Sequence, residues 1–250
     1  MIAVSSDEER FPAAWCDGDM VATSVMEAVS FVTPALERFL VQAVASQMRE
    51  QSELDLRCRE FILDESRHLR MHARLNVSLL HRLTAPPLGL ARAESILGQA
   101  KARRSVADRL RLVAAFEHVS AILSKHYLKS SGGWSFGLPS AKAVFDRHAR
   151  EELGHCAVAY DICLRAGIGG RFSRSLALSR VMAGALAYVA VAAPSILMQK
   201  TGQSFARCFA RVAGFGIGRA LLAPGLVGEL LWFGRAGFHP DYLHHRDRAS

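Results

Sequence analysis

The sequence has almost no strand signal. Alternating β-branched runs are missing, and Ala, Leu, Arg and Glu dominate, which argues against sandwiches and barrels and for helices. Cysteine is sparse. The five residues Cys16, Cys58, Cys156, Cys163 and Cys208 are odd in number and form no CxxC, so a disulfide framework is excluded and a reducing compartment expected. They read as small buried hydrophobes. No basic stretch interleaves with aromatics, so nucleic acid is not among the expected partners. The N-terminus, "MIAVSSDEERFPAAWCDGDM", lacks a basic segment followed by an apolar one and is broken by Pro and Gly. It therefore shows no signal peptide, and the expected location is cytoplasmic, with membrane association left open.

What is present is apolar bulk and scattered charge. The 250 residues are 50% hydrophobic, enough for one sizeable buried core. The formal charge is +8, from 31 Lys+Arg against 23 Asp+Glu. That is only a weak pointer to an acidic partner or an anionic membrane surface.

The pattern predicts helices throughout. A first core helix is expected from Pro34 to Arg49, with Pro34 in its first turn. A second runs from Ser52 to Leu83 and stops before "TAPPLG". A shorter helix near 90–102 leads to a third core helix near 105–128. "SSGGWSFGLPS" breaks the pattern, and a fourth core helix spans 140–166, ending at "AGIGG". Residues 171–250 differ in composition and contain "VMAGALAYVAVAAPSILMQ", 19 residues without a charge. Arg171, Arg174 and Arg180 precede this run and Lys200 follows it. Its richness in Ala and its Pro194 suit a buried or peripheral helix better than a spanning one. The expected organisation is a partly irregular segment 1–30, a four-helix bundle 31–170, and a hydrophobic helical extension 171–250 packed on the bundle or on a membrane surface.

Ionisable residues interrupt the apolar stripes. In the second helix Glu65, His68 and His72 share a face with Cys58, Phe61, Leu75 and Leu79. In the fourth, His148, Glu152 and His155 share a face with Val144, Ala159 and Ile162. Glu37 lies with Leu40, Val41 and Val44, and Glu117 with Leu110, Val113 and Ala121. Four helices thus each put a carboxylate at mid-height of an apolar face. An unpaired buried carboxylate costs several kcal/mol even after relaxation. Four of them, with two histidines at i+3, need a shared counter-charge, which metal ions supply. One Glu from each of two helices plus Glu-x-x-His from two others is the donor set of di-iron or di-manganese carboxylate bundles. Two iron ions are therefore expected, with manganese as the alternative and O2 as co-substrate.

The segments "PALERFL", "FILDESRHLRMHARLN", "AAFEHVSAIL" and "HAREELGHCAVAYD", in that order, resemble a bacterial ferritin-like family labelled "predicted metal-dependent hydrolase". The resemblance runs from about Phe31 to Arg171, with "GFHP" at 237–240 as a further match. It departs at Arg147, where members tend to have Trp, and at Cys156, where they tend to have Lys. The resemblance implies an all-α, ferritin-like four-helix bundle with a helical C-terminal extension. It also implies Glu37, Glu65, His68, Glu117, Glu152 and His155 as six metal ligands. Glu27 is the alternative to Glu37. His72 resembles the extra histidine of the arylamine N-oxygenases, a related group, and is either a seventh ligand or a histidine bonded to a carboxylate behind the ligands. His148 is read as such a supporting residue. Asp64 and Asp161 either hold ligand histidines by their free ring nitrogens or are solvated. Glu151 is expected to pair with Arg147 on the surface, His118 to point off its face, and Tyr160 and Trp134 to be packing residues.

The function expected from this stage is a non-haem di-iron enzyme that activates O2 to hydroxylate, N-oxygenate, desaturate or cleave a small lipophilic molecule, with an electron donor as partner. The alternatives are a dimetal hydrolase of an ester or amide and a non-catalytic iron-binding protein. Peripheral membrane contact and a homodimer are left open.

Overall fold

Local capping and one displaced carbonyl explain where the first long helix runs. The computed structural model describes residues 12–48, 53–130, 135–221, 223 and 225–240. Trp134 and the expected helix ends at Arg49 and Ser52 lie outside these. Helix α1 spans Met20–Ala45, so it begins well before Pro34. Asp19 caps it, accepting from the N–H groups of Val21 and Ala22. The first-turn role expected for Pro34 is corrected: it lies inside the helix. Proline has no N–H, so the Ser30 carbonyl one turn earlier loses its helical partner. Asn76 fills that place, its Nδ2 donating to Ser30 O at 2.8 Å, while Ser30 Oγ donates to Asn76 Oδ1 at 2.7 Å.

The remaining helices are α2 Glu53–Leu80, α3 Leu90–Gly98, α4 Ala100–Arg103, α5 Val106–Ser130, α6 Pro139–His155, α7 Val158–Arg165, α8 Arg171–Thr201, α9 Phe205–Leu221 and α10 Leu226–Trp232. The fold is all-α; among the described residues the β contact is an isolated bridge between Cys16 and Phe136. The single helix expected over 140–166 is two helices. They meet at a bend, where Cys156 and Ala157 keep helical dihedrals (φ −56, ψ −20 and φ −87, ψ −26).

Four long helices form the bundle: α1 packs on α2 and α5, and α6 on α5 and α2. Two apolar clusters fill it. One holds Phe39, Phe61, Val113 and Ile162; the other holds Phe31, Leu79, Phe145 and Ile196. Along α1, α2 and α6 the ionisable residues fall between the members of these two clusters, so they form a polar layer within the core. Helix α8 covers α1 and α5, and α9 lies against α8. By length and composition, α1 and α8 could each cross a membrane; half of the apolar window of α1 and 44% of that of α8 is buried within the chain.

The segment after α10 is clamped to the bundle. The buried Arg174 donates from Nε to Phe233 O at 2.9 Å, from Nη2 to Arg235 O at 2.7 Å, and from Nη1 to Gly169 O. Tyr160 donates its hydroxyl to Phe238 O at 2.5 Å. His118 Nε2 lies 3.1 Å from the carbonyls of Glu229 and Leu230. The "GFHP" stretch is thus a structural strap.

The pairing of Asn76 with the carbonyl freed by Pro34 gives a double-mutant test. Asn76→Ala should cost about 1–3 kcal/mol, because a buried acceptor is left unpaired. In a Pro34→Ala background, which restores the helical N–H, the same change should cost less. Urea unfolding measures both; an equal cost would disconnect the two residues.

Candidate metal centre

The two Glu-x-x-His pairs face each other across α2 and α6. His68 Nδ1 is 3.0 Å from Glu65 Oε2 and 3.4 Å from Glu152 Oε1. His155 Nδ1 is 2.8 Å from Glu65 Oε1. Both histidines therefore turn Nδ1 to the shared carboxylates. Their other nitrogens are held crosswise by the acid that precedes each Glu: His155 Nε2 is 3.0 Å from Asp64 Oδ2, and His68 Nε2 is 2.8 Å from Glu151 Oε2. A carboxylate on the far nitrogen fixes ring orientation and raises ligand basicity.

Glu37 and Glu117 complete the layer from α1 and α5. Both are buried, and Glu37 Oε2 and the two Glu117 oxygens have no hydrogen-bond partner. Native interiors rarely tolerate that, and a bound cation would satisfy these oxygens. Donor atoms of Glu37, His68, His148 and Glu152 all lie within 4.8 Å of one another, and so do those of Glu65, Glu152 and His155. The two groups share Glu152. Orphaned carboxylate oxygens beside two overlapping clusters of carboxylate and imidazole fit a pair of metal ions.

Protons and histidines balance the charge of the layer. Burial, reinforced by the Glu65 charge, pushes the Glu37 carboxyl well above its ordinary range, and burial with Glu152 does the same to Glu117. Burial also works against ionising Glu65 and Glu152. There it is overcome by hydrogen bonds, from His155 and His68 to Glu65 and from His148 and His68 to Glu152, so both stay low. Despite burial, His68 is drawn up to about 10 by Glu152 and Glu65.

Several expected roles change place. His72 does not face the cluster: its Nδ1 is 2.9 Å from Ser30 Oγ and its Nε2 is 3.1 Å from His148 Nδ1. Burial and the neighbouring His148 hold it well below the usual histidine range, so it is neutral. His148, read as a support, is the one that points inward, with Nε2 3.2 Å from Glu152 Oε1. Glu151 does pair with Arg147 at 2.9 Å, but its second oxygen bonds His68, so it is not a bystander. Asp64 bonds His155, a candidate ligand. Asp161 does not: it meets Arg57 at 2.6 Å and His239 at 3.2 Å, because six residues beyond His155 is a different side of the helix. Glu27 accepts from Trp15 Nε1 at 2.9 Å and pairs with Lys200 at 2.6 Å, away from the cluster.

A cleft of about 370 Å³ opens on the layer at Asp64, Glu151 and His155. Its other walls are Arg57, Glu60, Phe61, Arg150, Gly154 and Val158. Six of these nine residues are ionisable, with Phe61 and Val158 among them as apolar wall, so the cleft is of mixed character.

A family model described as "Predicted metal-dependent hydrolase" matches residues 3–243. No curated protein and no solved structure matches the chain. The family description overturns the expectation of a di-iron enzyme that activates O2 and supports the alternative of hydrolysis.

The crosswise straps make a quantitative claim. Asp64→Ala and Glu151→Ala should each weaken metal binding about 10–100-fold, while Asp161→Ala should leave it unchanged. Titration of manganese(II) against a competing chelator reads all three. Equal affinities for the wild type and Glu151→Ala would remove Glu151 from the centre.

Proposed function

The chain belongs to the family of predicted metal-dependent hydrolases, and from that premise we propose that it hydrolyses a small polar ester or amide with two metal ions held in the bundle. The observation that carries this reading is the pair of overlapping donor clusters that share Glu152. Glu37, Glu65, Glu117, Glu152, His68 and His155 would hold the ions, with His148 as a further donor. This mixture of carboxylate and imidazole suits iron(II) or manganese(II). Bound there, the ions would supply Lewis acidity, polarising the scissile carbonyl and acidifying a water.

The protein's own residues do the rest. Glu37 and Glu117 carry protons in the metal-free layer and release them as cations enter, so occupancy replaces protons with metal charge. Asp64 and Glu151 hold the two imidazoles by Nε2 and keep each Nδ1 turned inward. Neutral His72, bonded to Ser30, fixes the ring of His148 from behind. The cleft brings substrate to the side of the layer where His155 stands. Its arginines and acids favour a polar substrate, and Phe61 and Val158 offer a small apolar contact. The remaining buried side of the layer lies against the two apolar clusters, which exclude bulk water.

Gly154 supplies the test. It lines the cleft between two ligands, and a Cβ added there meets nothing within 4 Å. Gly154→Leu should therefore fill the cleft without disturbing the helix. The manganese-loaded protein should cleave small aryl esters or anilides, lose that activity to a chelator, and regain it on metal addition. In Gly154→Leu, kcat/KM should fall at least about tenfold, with metal content unchanged. A loaded protein that cleaves neither class overturns the hydrolase reading; an unaffected Gly154→Leu variant overturns the cleft as the route.

A further inference from the structure

The outer helices combine two features that the bundle does not use. The first is an exposed apolar face. Helix α8 turns Ala177, Leu178, Val181, Ala192, Ile196 and Leu197 into the core, against α1 and α5. Its opposite side stays open: Phe172 is 81% exposed and Leu186 63%, with Leu176 on the same side. Helix α9 packs on α8 through buried Cys208 and Val212 and leaves Phe209 and Ile217 outward, the latter 64% exposed. The chain reverses between the two helices at Gly202, whose φ of +67 suits a residue without Cβ.

The second feature is charge. Residues 1–170 are nearly balanced, with 21 Lys+Arg against 20 Asp+Glu, whereas residues 171–240 carry eight Lys+Arg against one acid, Glu229. Glu229 is already committed to Lys125 and His126. Arg174 is buried, Lys200 pairs with Glu27, and Arg219 pairs with Asp17. The other five, Arg171, Arg180, Arg207, Arg211 and Arg235, are exposed and have no carboxylate partner among the described residues. Arg171 lies over the Phe172 ring at 5.3 Å and Arg235 over the Trp232 ring at 5.0 Å.

We propose that the outer face of α8 and α9 docks the protein on an anionic lipid membrane, lying on its surface without crossing it. Exposed aliphatic and aromatic residues bordered by arginines suit the boundary between acyl chains and acidic headgroups. Crossing is disfavoured because the inner side of α8 is part of the core. A second copy of the chain is a poorer occupant. A twofold interface sets the same patch against itself, which here would oppose unpaired arginines to arginines with no free acid to separate them.

Sedimentation of the full-length protein with vesicles tests this. Vesicles of phosphatidylcholine containing phosphatidylserine should carry the protein down; phosphatidylcholine alone should carry far less, and raised salt should release it. The double variant Arg207→Glu/Arg211→Glu should bind anionic vesicles at least about tenfold more weakly, and Leu186→Ser should also weaken binding. Both changes are on exposed positions, so helix content by circular dichroism should be unchanged. Failure to sediment with anionic vesicles overturns the proposal, as does a double variant that binds like the wild type. A dimer in light scattering that Leu186→Arg dissolves, with no vesicle binding, would assign the face to a second copy instead.

Discussion

Four carboxylates at one level of a helical bundle are the constraint on which the rest of the structure depends. Such a layer is unstable unless each negative charge is neutralised or matched. In the metal-free chain two solutions operate side by side. Glu37 and Glu117, fully buried beside other carboxylates, are pushed toward holding their protons. Glu65 and Glu152, opposite His68, His148 and His155, remain charged. The layer also fixes register. Asp64 reaches His155 and Glu151 reaches His68, so α2 and α6 are tied twice, in opposite directions, and sliding one along the other by a turn would break both ties. The apolar clusters on either side contribute burial without such directionality.

Local periodicity made the centre of this layer legible in the sequence. Glu65 with His68 and Glu152 with His155 fall on apolar stripes at helical spacing, and the structure brings them together with Glu37. Contacts between helices were not legible in the same way. A helical wheel places Glu151 off the core face of α6, yet the ring of His68, reaching from α2, extends far enough to meet it. The repeated acid before each Glu, Asp64 and Glu151, was the available signal. The open reading of His72 and the supporting one of His148 have the same origin: both lie on the right faces, and only the packing of α2 against α6 decides which ring is in front.

Other misreadings come from long-range compensation and from helical phase. Pro34 resembles a first-turn proline because an interior proline normally costs a hydrogen bond and a clash. Here the freed carbonyl of Ser30 is recovered by Asn76, 46 residues away, which no window of local sequence contains. Asp161 reads in the sequence as either holding a ligand histidine or solvated. It lies six residues past His155, about a third of a turn off its face even in an unbroken helix, so it meets Arg57 and His239 and serves the strap that secures the C-terminal segment.

That strap explains how one chain can hold a charge-balanced bundle and a basic, greasy exterior without the two competing. Arg174 turns inward from the start of α8 and spends its donors on the carbonyls of Gly169, Phe233 and Arg235. Its charge is desolvated against the faces of Tyr160, Phe233 and Phe238. The residue that would otherwise add a sixth free guanidinium to the exterior instead pins the segment following α10 to the bundle. Helix α8 is thereby fixed in rotation: Ala177, Leu178 and Val181 must face inward with Arg174. Phe172, Leu176 and Leu186 must then face out. The apolar exterior follows from how the core is anchored, and the arginines bordering it determine what kind of surface can cover it.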